Sequence, residues 1–178
     1  MKKKIDVFEH MGEILNGVKN GVLITSKAGD RVNSMTISWG MVGVEWGKPI
    51  FTTFIRESRF TRSLIEKNGE FTVNIPMDEN AKKILGFCGS KSGRDIDKAK
   101  EIGLTYEEPE MISVPGVKEL PLTLECKVVY KQTQDTDAMT EENREKFYPQ
   151  DVDSLFTGSN KDTHVAYYGE IVNAYVIE

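Results

Sequence analysis

The chain contains only two cysteines and two histidines among its 178 residues. Cys88 and Cys126 are too few for a disulfide framework, and no Cys-x-x-Cys motif is present. Because His10 and His164 are the only histidines, one chain cannot form a histidine-rich metal site. We therefore expect no metal site and two reduced thiols, as in cytoplasmic proteins.

Three sequence signatures of catalytic sites are also absent. The chain has no G-x-G-x-x-G, no G-x-x-x-x-G-K-[ST] and no G-x-S-x-G, which excludes the usual dinucleotide, P-loop and hydrolase patterns. A nucleophilic pair of Cys88 and His164 is an alternative, but the sequence offers no third group to orient it. Cys88 lies in an apolar helical pattern, and this favours a buried thiol.

No apolar run is long enough to span a bilayer, and no apolar segment follows the basic cluster Lys2–Lys4 as it would in a secretory signal. The net charge is −5. Nucleic acids and anionic membranes are usually bound by a basic face, so we expect neither as a partner. The expectation is a soluble cytoplasmic protein.

The length and the apolar content of 39% suit one folded domain over residues 1–178. Patterns typical of β-strands dominate, at residues 22–25, 31–39, 50–55, 71–75, 122–131 and 164–177. We expect about six or seven mostly sequential strands with three or four peripheral helices. A closed antiparallel barrel fits best because closure removes exposed strand edges. Gly169 predicts a bulge or a close approach in the last strand.

Residues 31–68 are the stretch around which the chain is organised. A polar extended run ends at Trp39, a strand covers 50–55, and a helix is predicted to begin with Ser58 as its N-cap. The polar run is either an ordinary strand with a polar outer face or the wall of a ligand site. A tryptophan beside small polar residues more often packs than stacks on a ligand.

The predicted start of this helix gathers two hydroxyls, Ser58 and Thr61, and two guanidinium groups, Arg56 and Arg59. The N-terminus of a helix presents unpaired N–H groups and a partial positive charge, so this cluster can hold a phosphate. The alternative is a capped helix with solvated arginines.

Two further segments stand out. A helix capped by Asp78 leads into the glycine-containing, donor-rich loop 86–95, and Asp95 is predicted to cap a helix over 96–102. Residues 132–163 are polar, with one helix predicted near 141–147. An excursion of this length either crosses the surface as a flexible loop or takes part in function.

Four motifs then occur in a specific order. They are Asn33-Ser34-Met35-Thr36-Ile37-Ser38-Trp39-Gly40, Ser58-Arg59-Phe60-Thr61, Cys88-Gly89-Ser90-Lys91-Ser92-Gly93-Arg94-Asp95 with Asp97-Lys98, and Asp162-Thr163-His164 followed by Gly169-Glu170-Ile171-Val172. In this order and at these separations they resemble the flavin reductase-like family, specifically its flavoredoxin-type members. The resemblance extends from about residue 18 to residue 175.

The resemblance implies a mainly β fold with peripheral helices, namely an FMN-binding, antiparallel Greek-key split β-barrel. It also implies a homodimer with a flavin near each subunit interface. The residues that it places at the cofactor are Asn33, Met35, Thr36, Ile37, Ser38, Trp39, Ser58, Arg59, Thr61, Ser92, Gly93, Arg94, Lys98 and His164.

Within this set, residues 33–39 match the strand along the flavin ring, and Ser58, Arg59 and Thr61 match the phosphate and ribityl contacts. Lys98 matches a position near the flavin, where a cation could stabilise the negative charge of the reduced ring. His164 and Tyr168 match positions on the last strand that approach the pocket.

The implied function is an FMN-dependent oxidoreductase that takes electrons from NAD(P)H, bound transiently, or from a redox partner. An alternative is a flavoredoxin-type electron carrier that keeps FMN tightly bound, exchanges electrons with a protein partner and does not use NAD(P)H. A third hypothesis, a binding module without redox use, is disfavoured because all four motifs are present.

Overall fold

The computed structural model describes the backbone of residues 1–178 and every side chain except that of Glu79. The strands are β1 (Lys2–Lys4), β2 (Val22–Ala28), β3 (Arg31–Ile37), β4 (Gly40–Glu45), β5 (Lys48–Arg56), β6 (Glu70–Ile75), β7 (Tyr106–Glu107), β8 (Gly116–Val117), β9 (Leu122–Thr133) and β10 (His164–Ile177). The α-helices are α1 (Met11–Asn20), α2 (Phe60–Asn68), α3 (Lys82–Ser90), α4 (Lys98–Ile102) and α5 (Glu141–Phe147).

Eight strands form one antiparallel sheet in the order β3-β2-β6-β9-β10-β5-β4, and β1 pairs with β10 beside this path. Within this sheet, consecutive strands pair in three places, β2 with β3, β4 with β5 and β9 with β10. The strands β7 and β8 pair with each other in a separate two-stranded sheet. The remaining pairs on the path, such as β2 with β6 and β10 with β5, join strands distant in sequence. The expectation of mostly sequential pairing therefore holds only for the hairpins.

The sheet wraps around one apolar core. Ile37 of β3 and Val42 of β4 stand at opposite ends of the strand path, yet both pack against the same cluster, whose centre includes Phe51, Phe71 and Leu124. Burial of this cluster is the main favourable term in the fold. The strands β3 and β4 do not pair with each other, so the barrel is split between them. The closed barrel, which the sequence analysis favoured because closure removes exposed strand edges, is therefore not formed.

Several predicted elements differ from the observed ones at their ends. Residues 2–4 form a strand that the sequence analysis did not predict. The helix α3 continues through Ser90 into the segment predicted as a loop. Helix α4 is capped by Asp97, which accepts from the Lys100 amide, and not by Asp95. The predicted helix at 141–147 is confirmed.

Three helices pack against the strands β2 and β3. Helix α3 and helix α4 both pack against β3, while α2 packs chiefly against β2. The sequence moves directly from β5 into α2, so the start of that helix lies beside the sheet. None of the helices in the described chain is both long and apolar enough to cross a membrane.

Gly169 marks the irregularity predicted for the last strand. The register between β10 and β9 shifts between Tyr168 and Gly169. A Cβ atom at Gly169 would lie 2.5 Å from Cζ of Phe71 and 2.9 Å from Cβ of Cys126. The absence of a side chain at residue 169 therefore lets the phenyl ring of Phe71 fill the core directly beneath the strand.

We expect Gly169→Ala to lower the free energy of unfolding by about 1–3 kcal/mol, because overpacking a filled core forces side chains out of their rotamers. Urea denaturation measures the change. Gly43→Ala in β4 is the matched control, since nothing lies within 4 Å of its added Cβ. Equal losses in the two variants would contradict the packing explanation, and Phe71→Leu should restore part of the loss at Gly169.

Candidate functional site

A cavity of about 480 Å³ lies between β3, the start of α2, the end of α3 with its following loop, and residues 155–157. Pockets for small organic ligands typically measure about 300–1,000 Å³. The cavity brings together ten of the fourteen predicted cofactor contacts: Asn33, Met35, Thr36, Ser58, Arg59, Thr61, Ser92, Gly93, Arg94 and Lys98.

A buried hydrogen bond joins the strand wall of this cavity to the helix start. The Nδ2 group of Asn33 donates to Oγ1 of Thr61 at 2.8 Å, and both residues are almost completely buried. Since Thr61 accepts this bond, its own hydroxyl proton is available to a ligand. The two segments that the sequence suggested as parts of one site thus share one wall.

The loop that follows α3 lies directly on Asn33. A Cβ atom at Gly93 would come 2.0 Å from Oδ1 of Asn33 and 2.9 Å from the ring of Phe60, so no side chain fits at this position. The guanidinium group of Arg31 donates to the Gly93 carbonyl and lies 5.4 Å from the centroid of the Phe60 ring. Arg31 therefore fixes the loop from outside the cavity.

The charge of the cavity is opposite to that of the whole chain. Its lining has four cationic side chains, Arg59, Lys91, Arg94 and Lys98, against one acidic side chain, Asp95. The chain as a whole carries −5. A concentration of positive charge in a concave, partly buried site favours an anionic ligand.

Lys98 is the most deeply buried of these cations, with 5% of its surface exposed. Its ammonium group donates to the carbonyl of Ser34 at 3.0 Å and to the carbonyl of Cys88 at 2.7 Å. The pKa of Lys98 is lowered to about 8, chiefly by burial; Cys88 opposes the shift and the charge of Arg59 contributes to it. An ammonium group has three N–H donors, so one is left for a ligand.

The start of α2 differs from the prediction. Arg59, not Ser58, occupies the N-cap position, and no side chain caps the first turn. Ser58 instead donates its hydroxyl to the carbonyl of Ser154 at 3.0 Å, and its amide donates to Oδ2 of Asp162 at 3.0 Å. The first-turn N–H groups of α2 are therefore not occupied by a side-chain cap.

The remaining four predicted contacts do not line the cavity. Ile37 packs in the core, and Ser38 is exposed between β3 and β4. Trp39 and His164 belong to an aromatic cluster in which the indole ring lies 5.0 Å from the imidazole and 5.1 Å from the ring of Phe147.

His164 is held neutral within this cluster. Its Nδ1 atom is hydrogen-bonded to the hydroxyl of Tyr148 at 2.8 Å. The pKa of His164 is lowered to about 3, chiefly by burial and also by the positive charges of Arg56 and Arg59, while Asp162 opposes the shift. An uncharged imidazole at neutral pH can accept or donate one hydrogen bond at its outer nitrogen but adds no charge to the site.

The profile of the flavin reductase like domain matches residues 15–178. The chain belongs to this family. The uncharacterized protein YddH of Escherichia coli K12 is 35% identical over 123 residues, which cover 67% of this chain and 64% of YddH. The chain spans only 55% to 64% of the length of the curated relatives it matches.

Solved structures share the fold. A flavoredoxin from Methanosarcina acetivorans is 26% identical with a TM-score of 0.65, over 89% of this chain and 68% of that one. An FMN-binding domain of a flavin reductases-like enzyme from Shewanella baltica is 17% identical with a TM-score of 0.66, over 99% of this chain and 77% of that one. The fold of this flavin reductase-like domain is therefore a split β-barrel.

Sequence reasoning missed several residues that line the cavity of this flavin reductase-like domain. Cys88, Gly89, Ser90, Lys91 and Asp95 lie in a motif that it had singled out, and their glycine and donor content was the available signal. Phe60 belongs to the motif of residues 58–61, which the sequence analysis had also singled out. Leu155 and Thr157 had no local signal, because they reach the cavity only through the folding of residues 153–163 onto α2.

The cavity is suited to an anionic ligand rather than to a metal ion. Within the described residues, no group of three or more histidine, cysteine, aspartate or glutamate side chains could hold a metal. The lining includes several hydroxyl groups and cations, which are donors that a phosphate ester requires. Met35 and Phe60 add apolar surface at the same cavity.

Proposed function

We propose that this chain binds FMN in the cavity and acts as a flavin reductase-like oxidoreductase. Electrons would come from NAD(P)H or a redox partner and pass through FMN to an acceptor. The observation that carries the proposal is the cationic cavity that joins β3 to the start of α2, in a chain that belongs to the flavin reductase like domain family. The solved structure of an FMN-binding domain with the same fold supports the choice of cofactor.

The start of α2 fits the phosphate end of FMN. It offers uncapped first-turn N–H groups, the guanidinium group of Arg59 and the hydroxyl of Thr61, whose proton is left available by the bond from Asn33. Ser58 fits a supporting role better than a direct contact, because its hydroxyl proton is already donated to the Ser154 carbonyl. This changes the part that the sequence analysis expected of Ser58.

The other end of the cavity fits the ring system. FMN supplies a redox-active ring that takes up and releases electrons, and the protein supplies position and charge. Met35 provides apolar contact, and Thr36 fixes α3 on β3 by donating to the Leu85 carbonyl at 2.6 Å. Lys98, rigidly held by two carbonyls, would bring a positive charge to the ring and so favour its reduced, negatively charged form.

A second candidate is a flavoredoxin-type carrier without NAD(P)H activity. The specific observation in its favour is the likeness to the flavoredoxin of Methanosarcina acetivorans, at 26% identity. The net charge of −5 would suit a partner with a basic docking face. Both candidates use the same FMN site, and NAD(P)H activity is expected only of the first.

We also propose a homodimer. The unpaired edge of the sheet at β4 carries large exposed apolar side chains, with Met41 at 52%, Val44 at 63% and Trp46 at 57% of their surface accessible. Edge strands of this kind are usually covered in the native assembly.

Sedimentation equilibrium should give twice the chain mass of 20.1 kDa, because two chains would cover this edge. A monomer that binds FMN fully would reject the dimer.

We expect Arg59→Ala to weaken FMN binding about tenfold to a hundredfold, because a charge-assisted contact is worth roughly 1.5–3 kcal/mol. Fluorescence titration measures the dissociation constant. Binding of riboflavin, which lacks the phosphate, should change little. The control is Lys67→Ala, which removes an exposed positive charge from the last turn of the same helix. Equal effects of the two substitutions would reject Arg59 as a phosphate contact.

The purified protein should take up FMN with a yellow visible spectrum. Anaerobic mixing with NADH or NADPH then separates the two functions, since rapid bleaching is expected of the oxidoreductase and no bleaching of the carrier. Dithionite reduction serves as the control that the bound flavin is redox-competent. A protein that takes up no FMN would reject both functions.

A further inference from the structure

Residues 153–163, which we call the strap, fold back on themselves around two polar side chains, Asn160 and Asp162. Asn160 is completely buried, donates from Nδ2 to the Phe156 carbonyl at 2.7 Å and accepts the Asp162 amide at 2.9 Å. Oδ1 of Asp162 accepts the hydroxyl of Ser154. These bonds close the strap into a compact loop.

The same loop is bonded to the two residues at the start of α2 that face the cavity. Oδ2 of Asp162 accepts the amide of Ser58 at 3.0 Å, and the Ser58 hydroxyl donates to the Ser154 carbonyl at 3.0 Å. Nη2 of Arg59 donates to the carbonyls of Phe156 and Thr157 at 3.1 and 3.2 Å. The strap therefore determines where the guanidinium group of Arg59 lies.

Arg56 anchors the strap on the opposite side. Its side chain is 7% exposed, and Nη1 donates to the carbonyls of Asn160 and Asp162 at 3.2 and 2.6 Å. Nη2 donates to the Phe147 carbonyl at 2.9 Å. With its guanidinium group engaged in this way, Arg56 supports the backbone of the strap, while Arg59 lies at the cavity.

We propose that Asn160 and Asp162 are positioning residues, which hold the strap so that Arg59 and the first turn of α2 select phosphorylated flavin over unphosphorylated flavin. Arg59 uses only Nη2 for the strap carbonyls, and its other N–H donors remain for a ligand. A side chain that is already ordered loses less entropy when it binds. The inference rests on the proposed binding of FMN.

The direction in which Asp162→Asn changes FMN affinity distinguishes a positioning role from a purely electrostatic one. Asp162 carries a negative charge beside Arg59 and close to the proposed phosphate position, and charge alone predicts that Asp162→Asn strengthens the binding of an anion. Positioning predicts the reverse. The two carboxylate oxygens accept from Ser154 and Ser58, whereas an asparagine has one oxygen and can satisfy only one of these donors.

The test measures dissociation constants for FMN and riboflavin by fluorescence titration of the wild type, Asp162→Asn and Ser154→Ala. We expect the FMN constant to rise about tenfold in Asp162→Asn, as on loss of one charge-assisted contact, and less in Ser154→Ala. The riboflavin constant should change less than threefold. Asp151→Asn, at an exposed aspartate just before the strap, is the matched control and should behave as wild type.

Urea midpoints of all variants show whether they fold. A variant that loses stability but keeps the wild-type ratio of FMN to riboflavin affinity would show that the strap has only a structural role, and would overturn the inference. Tighter FMN binding by Asp162→Asn would also overturn it. A wild type that binds FMN and riboflavin equally also overturns it, while the proposed FMN binding stands. A wild type that binds neither overturns both.

Discussion

The hydrogen bond from Asn33 to Thr61 is the contact on which the candidate site depends. It joins residue 33 on one end strand of the sheet to the first turn of α2, 28 residues later in the chain. Gly93 lies on the same asparagine, at a distance that admits no side chain. Strand, helix and loop therefore meet at one buried amide. A change in any of the three would open the cavity or leave a buried polar group without its partner, which is costly.

Arginines with main-chain carbonyl acceptors hold the parts around this contact. Arg31 donates to the carbonyl of residue 93, Arg56 to the carbonyls of residues 147, 160 and 162, and Arg59 to those of residues 156 and 157. A guanidinium group offers five N–H donors in a fixed plane, so it can satisfy several carbonyls of irregular backbone that no strand or helix pairs. The long polar excursion is ordered in this way despite its low apolar content.

Several ionisable groups in and beside the cavity have shifted pKa values. Burial lowers the pKa values of Arg56 and Arg59, lowers that of Lys98 to about 8 and that of His164 to about 3. Burial alone would raise the pKa of Asp162, but the hydrogen bonds from Ser154 and Ser58 and the charge of Arg56 outweigh burial, so this pKa is lowered as well. A concentration of buried positive charge with one ionised carboxylate favours an additional anion in the cavity.

The sequence by itself indicated the strands β2, β3, β5, β6, β9 and β10 and the family. Alternation of apolar residues and the glycine at residue 169 are features that can be read locally from the sequence. The order of the four motifs indicated the family resemblance, and this resemblance predicted that Asn33, Arg59 and Lys98 belong to one site. All three line the same cavity.

Only the tertiary structure decided how distant segments meet. Hydrogen bonds with Ser154 and Asp162 make Ser58 a support and not the expected cap. Contacts with Phe147 and Tyr148 place Trp39 and His164 in an aromatic cluster and not in the cavity lining. Leu155 and Thr157 line the cavity because Arg56, Asn160 and Asp162 fold the excursion onto α2. Such contacts join residues about 100 positions apart, as Arg56 and Asn160 are, and no local pattern encodes a partner at that distance.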